Sequence, residues 1–161
     1  RSRGLGDVYK RQALLLGKAK DNNASSAIGP FIRLFDDGYG IDDVRRAELE
    51  LEVTGEDGFA LCGQSSMSQI SRDPLDLVAQ TCGAHHQYPD GFCLYLGTLF
   101  APGQDRRAPG AGFTHEIGDE VRITEPRLGT LQNRVSLSSD CPAWSFGTSA
   151  LMRNLAARGL I

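Results

Sequence analysis

The side chains of this 161-residue chain that could do chemistry fall into a few local patterns. Lys18 and Lys20 stand in the polar run Gly17-Lys18-Ala19-Lys20-Asp21-Asn22-Asn23-Ala24-Ser25-Ser26, which leads directly into Ala27-Ile28-Gly29-Pro30. A polar loop anchored by an apolar segment is a common way to present ligand-binding groups, so these lysines are candidates for pairing with an anion, against the plainer role of a solvated lysine. Gly97-Thr98, after the apolar run Phe92–Leu96, offers a backbone N–H and a hydroxyl to an anion such as a carboxylate. Glu48-x-Glu50-x-Glu52 would set three carboxylates on one face of a strand at steps of roughly 6.6–6.8 Å, adequate for a hard divalent cation if other oxygens joined them. The same alternation is what a strand with one wet face requires, and that reading is preferred. One of His85-His86 could serve as a general base or a metal ligand. Adjacent histidines on extended chain point to opposite sides, which argues against a joint metal site. Ser65-Ser66-Met67-Ser68 lacks the G-x-S-x-G elbow of a nucleophile and reads as turn hydroxyls bonding local backbone.

The elements that would position these groups are mostly strands. Glu48–Thr54 alternates strictly, placing Leu49, Leu51 and Val53 toward a core and the glutamates toward water or a neighbouring layer. Gly55-Glu56-Asp57-Gly58 then offers a hairpin into Phe59–Cys62. Asp73-Pro74 is a helix start, an N-cap followed by proline, with Leu75, Leu77, Val78 and Cys82 on the apolar side up to Gly83. Phe92-Cys93-Leu94-Tyr95-Leu96 has no polar partner on either face, which implies a strand buried on both sides. Pro102–Gly112 reads as a loop. Glu120–Thr124 and Leu131–Leu137 read as a final pair of strands joined by the Pro126–Gly129 turn. Thr148 or Ser149 caps a last helix with a Leu151, Met152, Leu155 stripe and Gly159 past its end. Phe31–Leu34 is a short apolar stretch running into a turn at Asp36-Asp37-Gly38 and Gly40. The expectation is an antiparallel-rich mixed β fold with two helices packed outside.

Length and composition bound the function. The chain is the size of one domain, and its 40% apolar residues and 19 glycines exclude disordered, collagenous and coiled-coil classes. A balance of 17 basic against 20 acidic residues argues against a nucleic-acid partner or an anionic membrane. The longest apolar run near the start, Ala13–Leu16, is far short of the roughly 20 residues a membrane span needs. Cys62, Cys82, Cys93 and Cys141 form no C-x-x-C pair, so the expectation is reduced, buried thiols in a cytoplasmic protein.

Residues 1–12 differ in composition, carrying Arg1, Arg3, Lys10 and Arg11 against Asp7. Asp7-Val8-Tyr9-Lys10-Arg11-Gln12 back-translates as GAT GTG TAT AAG AGA CAG, which looks like a transposase mosaic-end adaptor of sequencing libraries read through in frame. Residues 1–12 are therefore read as an adaptor artefact and set aside from fold reasoning. Without them the remainder, 13–161, is more acidic.

Lys20 followed by Ala27-Ile28-Gly29-Pro30, then Leu49-Glu50-Leu51-Glu52-Val53-Thr54-Gly55-Glu56, Tyr88-Pro89-Asp90-Gly91 before Leu96-Gly97-Thr98, and Gly118-Asp119-Glu120-Val121 running to Leu128-Gly129-Thr130-Leu131-Gln132-Asn133-Arg134-Val135 form an ordered series across nearly all of 13–161. This series resembles the carboxyl-terminal half of the fumarylacetoacetate hydrolase family. The wording of Lys18–Ser25, Ser71-Arg72-Asp73-Pro74-Leu75-Asp76-Leu77-Val78 and His85–Gly91 is closest to the branch of 2-keto-3-deoxy sugar acid dehydratases of the arabinonate type. The resemblance implies a mixed β-rich α+β fold, a β-roll with peripheral helices that is incomplete here, with 13–161 the carboxyl-terminal part of the catalytic domain. It implies a homodimer using Mg²⁺, or Mn²⁺ or Ca²⁺, in the intact parent. The cation would chelate the 1-carboxylate and 2-keto oxygen of a small 2-keto acid substrate and stabilise the enolate formed as a C3 proton leaves, before the 4-hydroxyl is lost. Lys20 aligns with the family lysine that reaches the metal-bound substrate, and Gly97-Thr98 with the motif whose threonine contacts a substrate carboxylate. The family's metal-binding Glu-x-Glu strand and its Asn-Asp segment lie upstream of the lysine loop, where the adaptor-like residues stand here. Glu48, Glu50 and Glu52 match a later strand without ligand roles, so no metal ligand is expected within the chain and the chain alone is expected to be inactive. A C–C hydrolase of the fumarylacetoacetate or acylpyruvate type is the alternative activity. A non-catalytic binding module is the third reading.

Overall fold

The computed structural model describes residues 23–97 and 99–161. The chain divides into two compact units, one spanning Ile28–Val135 and the other holding Ser136–Ile161 with the described residues before Ile28. The expectations for residues 1–12, for the Lys18–Lys20 part of the polar loop and for Thr98 lie outside the described residues.

The larger unit is built on a four-stranded antiparallel sheet in the order β2-β1-β3-β4. These strands are β1 (Glu48–Thr54), β2 (Ala60–Ser66), β3 (Glu120–Glu125) and β4 (Gly129–Arg134). Antiparallel register follows from the period of two. Leu51 of β1 sits opposite Gly63 on one side and Ile123 on the other, and Val53 opposite Leu61 and Val121. Leu131 extends the same row from β4. Val53 is 1% exposed and Leu61 is buried, so they form the centre of this core face. The opposite face carries Glu48, Glu50 and Glu52, all exposed, as the alternation requires. There Glu52 pairs with Arg122 directly across the ladder at 3.3 Å, a contact worth a few tenths of a kcal/mol, about 0.2–1.

Both hairpins close where glycine permits the backbone. Gly55 N–H donates to the Phe59 carbonyl at 2.8 Å, and Gly58 turns with φ of +81°. At the second hairpin the Glu125 carboxylate accepts the Arg127 and Leu128 amides, each at 2.7 Å, and Gly129 takes φ of +89°. The second hairpin is therefore tighter than the Leu131–Leu137 expectation. Gly129 already belongs to β4, which ends at Arg134.

Among the described residues, the larger unit also carries the helices α1 (Ile41–Arg45) and α2 (Pro74–Thr81), and the other unit carries α3 (Thr148–Ala157). The Asp73 carboxylate accepts the Leu75 amide at 2.9 Å, as the Asp-Pro pattern predicts. Asp73 is also held by Arg45 at 2.6 and 3.2 Å, which joins α1 to the start of α2. The expected apolar stripes are not buried. Leu75 and Val78 of α2 are exposed, as are Leu151 and Met152 of α3. The cap of α3 is Gly147 without a side-chain bond, rather than Thr148 or Ser149; Gly159 does sit past its end, with φ of +66°.

Two further expectations are corrected. Phe92–Leu96 is irregular chain rather than a doubly buried strand, with Phe92, Cys93 and Tyr95 exposed. An apolar run records a demand for burial, but a strand also needs a ladder partner, and no strand among the described residues pairs with it. The thiols are free as expected, yet Cys62, Cys82 and Cys93 are exposed and Cys141 is half-buried. Cys62 falls on the polar face of β2, one step out of phase with Leu61.

No helix among the described residues is long and apolar enough to cross a membrane.

Candidate functional site

Of the three residues expected to meet substrate, Gly97 is described. It adopts φ of +81°, the left-handed region that glycine enters without cost, and is exposed. Upstream, the Tyr88-Pro89-Asp90-Gly91 turn closes with the Gly91 amide on the Tyr88 carbonyl at 2.9 Å and Gly91 at φ of +85°. The Tyr88 and Phe92 rings lie 5.2 Å apart across it. Downstream, the Leu99 amide donates to Ser65 Oγ at 3.2 Å. The hydroxyls of Ser65–Ser68 thus do more than bond local backbone: Ser65 and Ser66 lie in β2, and Ser66 Oγ donates to Glu48 across the ladder at 2.5 Å.

The carboxylates and imidazoles are dispersed. Among the described residues no group of three or more His, Cys, Asp or Glu is placed to hold a metal ion. Glu48 and Glu52 are engaged by Ser66 and Arg122 on the wet face of the sheet. His85 and His86 are both exposed, with His86 in a small backbone bridge to Gly83. The described residues therefore do not fit the cation that the family resemblance implies.

A tighter charged cluster, invisible to periodicity, lies at the end of the sheet. Arg106 comes from the Pro102–Gly112 loop, and its side chain is 1% exposed. Its guanidinium grips Asp119, equally buried, through two bonds at 2.5 and 2.8 Å, and holds Asp57 of the first hairpin at 3.0 and 3.2 Å. It also lies 4.7 Å over the Phe59 ring. These bonds hold both carboxyls below the usual carboxylate range. Asp119 accepts the Glu116 amide as well, at 2.8 Å. Beside this cluster the His115 Nδ1 is buried with no hydrogen-bond partner, 3.6 Å from Asp119. Burial pushes the His115 imidazole below its ordinary 6.5, an effect that outweighs the attraction of Asp119. With its carboxylates fully engaged by Arg106, the cluster fastens the loop to the sheet. The available signal was the arginine pair Arg106-Arg107 in a Gly/Pro-rich loop and aspartates at both strand entrances.

A cavity of about 470 Å³ opens between the Phe31–Phe35 segment and Leu128, over Tyr39. The guanidinium carbons of Arg33 and Arg127 lie 5.3 and 4.8 Å from the Tyr39 ring centre. Arg33 is bound by both oxygens of Asp36 at 2.8 Å, and Arg127 by Asp43 and the Gly38 carbonyl. Both cations are thus matched by carboxylates, which leaves the cavity wall largely apolar.

No protein-family model, curated protein or solved structure matches the chain.

Proposed function

We propose that the chain is the carboxyl-terminal part of the catalytic domain of a divalent-metal-dependent lyase of the fumarylacetoacetate hydrolase type, acting as a homodimer on a 2-keto-3-deoxy sugar acid such as 2-keto-3-deoxy-arabinonate. The observation that carries this reading is the ordered motif series from Lys20 to Val135. Its support from the fold is local. The Leu49–Glu56 and Gly118–Val135 motifs form neighbouring antiparallel hairpin strands, Tyr88–Gly91 makes a glycine-dependent turn, and Gly97 takes a positive φ. A β-roll is the finer form of this antiparallel sheet that the reading expects.

In this reading Lys20 brings an ammonium to the substrate's anionic 2-keto acid end. Gly97, having no β-carbon, lets the backbone approach the carboxylate, and the Thr98 hydroxyl donates to it. The reaction removes a C3 proton and the 4-hydroxyl as water. The cation belongs to residues outside those described, and Glu48, Glu50 and Glu52 take no part in holding it.

The test is the full reading frame containing residues 13–161, assayed with Mg²⁺ on a 2-keto-3-deoxy-pentonate. Release of the dehydrated dioxo acid is expected, and Lys20→Met should lower kcat/KM by about a hundredfold or more. Cleavage of an acylpyruvate in place of dehydration would make the protein the C–C hydrolase instead. Inactivity on both would overturn the enzymatic reading. Calorimetry of the 161-residue chain itself should find no stoichiometric micromolar Mg²⁺ site.

A further inference from the structure

The cavity beside the second hairpin has features that the proposed reaction does not use. Phe31, Phe35 and Leu128, all exposed, give it apolar walls. Its volume of about 470 Å³ lies within the range of small-molecule sites, roughly 300–1,000 Å³. Tyr39 lines it as well and is only 4% exposed, yet its hydroxyl has no hydrogen-bond partner among the described residues. A buried tyrosine hydroxyl usually finds a partner. Burial, and then the Glu125 carboxylate, push this phenol above its ordinary 10, so at neutral pH it keeps its proton as a donor in want of an acceptor.

The surrounding charges select the kind of acceptor. Arg33 and Arg127 lie over the Tyr39 ring, and each is already held by a carboxylate, Asp36 and Asp43 respectively. Buried Glu125 accepts two backbone amides but forms no ion pair among the described residues, so negative charge is in excess beside the cavity. An incoming anion would meet that excess with both guanidiniums engaged. With the guanidiniums over its ring, what Tyr39 offers a ligand is its hydroxyl. We infer that this cavity is a binding site for a neutral, flat, apolar molecule carrying one hydrogen-bond acceptor, its rings against Phe31, Phe35 and Leu128 and its acceptor on the Tyr39 hydroxyl. This ligand class differs from the anionic 2-keto acid of the proposed reaction, and the site stands or falls independently of that reaction.

The probes are 2-acetylnaphthalene, which bears a carbonyl acceptor, 2-ethylnaphthalene, which lacks one, and 2-naphthoate, which is an anion. Binding to the 161-residue chain is read by NMR titration, with the Leu128 methyl shifts reporting the place in the wild type, and sedimentation reads the association state. Both neutral probes should shift the Leu128 methyls, and 2-naphthoate should bind about tenfold or more weakly than 2-acetylnaphthalene. Tyr39→Phe keeps the ring and removes a hydroxyl that bonds no described residue. It should weaken 2-acetylnaphthalene about three- to tenfold, the effect of one hydrogen bond, and leave 2-ethylnaphthalene unchanged. Leu128→Arg, at an exposed position, should block both neutral probes. An equal effect of Tyr39→Phe on the two neutral probes overturns the hydroxyl contact, and equal affinity for 2-naphthoate overturns the neutral class. Still Leu128 methyls with affinity retained in Leu128→Arg would place the probes elsewhere and overturn the site, as would failure of all three probes to bind. A dimer that excludes the probes and that Leu128→Arg dissociates would give this face to a second copy of the chain and overturn the ligand site.

Discussion

Arg106 shows how much one side chain in an irregular loop can hold. Its guanidinium neutralises Asp119 at a position closed to water and reaches Asp57 on the neighbouring hairpin. Removing it leaves Asp119 buried and uncompensated, which costs about 3–5 kcal/mol. Arg106→Ala should therefore lower the urea unfolding free energy by that order, with a smaller loss in Arg106→Lys, which keeps the charge without the two-pronged geometry. A loss below about 1 kcal/mol would mean that the cluster does not fasten the loop. His115 gives the same corner a pH dependence. Because burial lowers its folded-state value below 6.5, the unfolded chain takes up the proton first as pH falls. Stability is full above about 6.5 and declines below it, until the folded imidazole also titrates. The aspartates held low by Arg106 act in a separate, more acidic window, losing their contribution below their ordinary 3.8. Urea titrations at pH 7.5 and 5.5 should show this decline in the wild type and a flatter response in His115→Gln; equal slopes would assign the effect to other groups. The pairing itself was not legible in the sequence, since a buried ion pair between residues 13 positions apart leaves no periodic trace.

Elements were legible where local chemistry decides them. The alternation of β1, the glycines at the hairpins and the Asp73-Pro74 start of α2 each name their own structure, and each is found. Helix α1 was missed because five residues are too few to show a period, although Asp43 accepts the Gly40 amide at 2.8 Å in a capping arrangement. Phe92–Leu96 failed in the opposite direction. Its apolar run is strong, but strand formation depends on a neighbour elsewhere in the chain, and five adjacent residues carry no information about that neighbour. Cys62 was a matter of parity. Counting by twos from Leu61 puts it with Gln64 and Ser66, so the period that placed the glutamates of β1 also places this thiol outside.

For the molecule as a whole, apolar surface is the feature that needs a physical account. Val53 and Leu61 are buried, but Phe31 is 88% exposed, and Ile32, Leu34 and Phe35 stand open beside it. Contiguous apolar surface of this kind marks interaction sites or aggregation hazards. A dye that brightens on apolar surface should bind the chain, and the pair Phe31→Ser and Phe35→Ser should reduce the signal without moving the unfolding midpoint by much, because neither side chain is buried. An unchanged signal would place the sticky surface elsewhere. Sequence reading saw a short apolar stretch there and left its exposure open, since composition counts apolar residues without saying which of them are covered. The exposed position of Cys62, finally, makes the sheet self-reporting. A one-residue slip of β2 against β1 would carry this sulfur inward and turn Leu61 out to water, so the rate at which a single thiol meets a labelling reagent becomes a gauge of strand alignment.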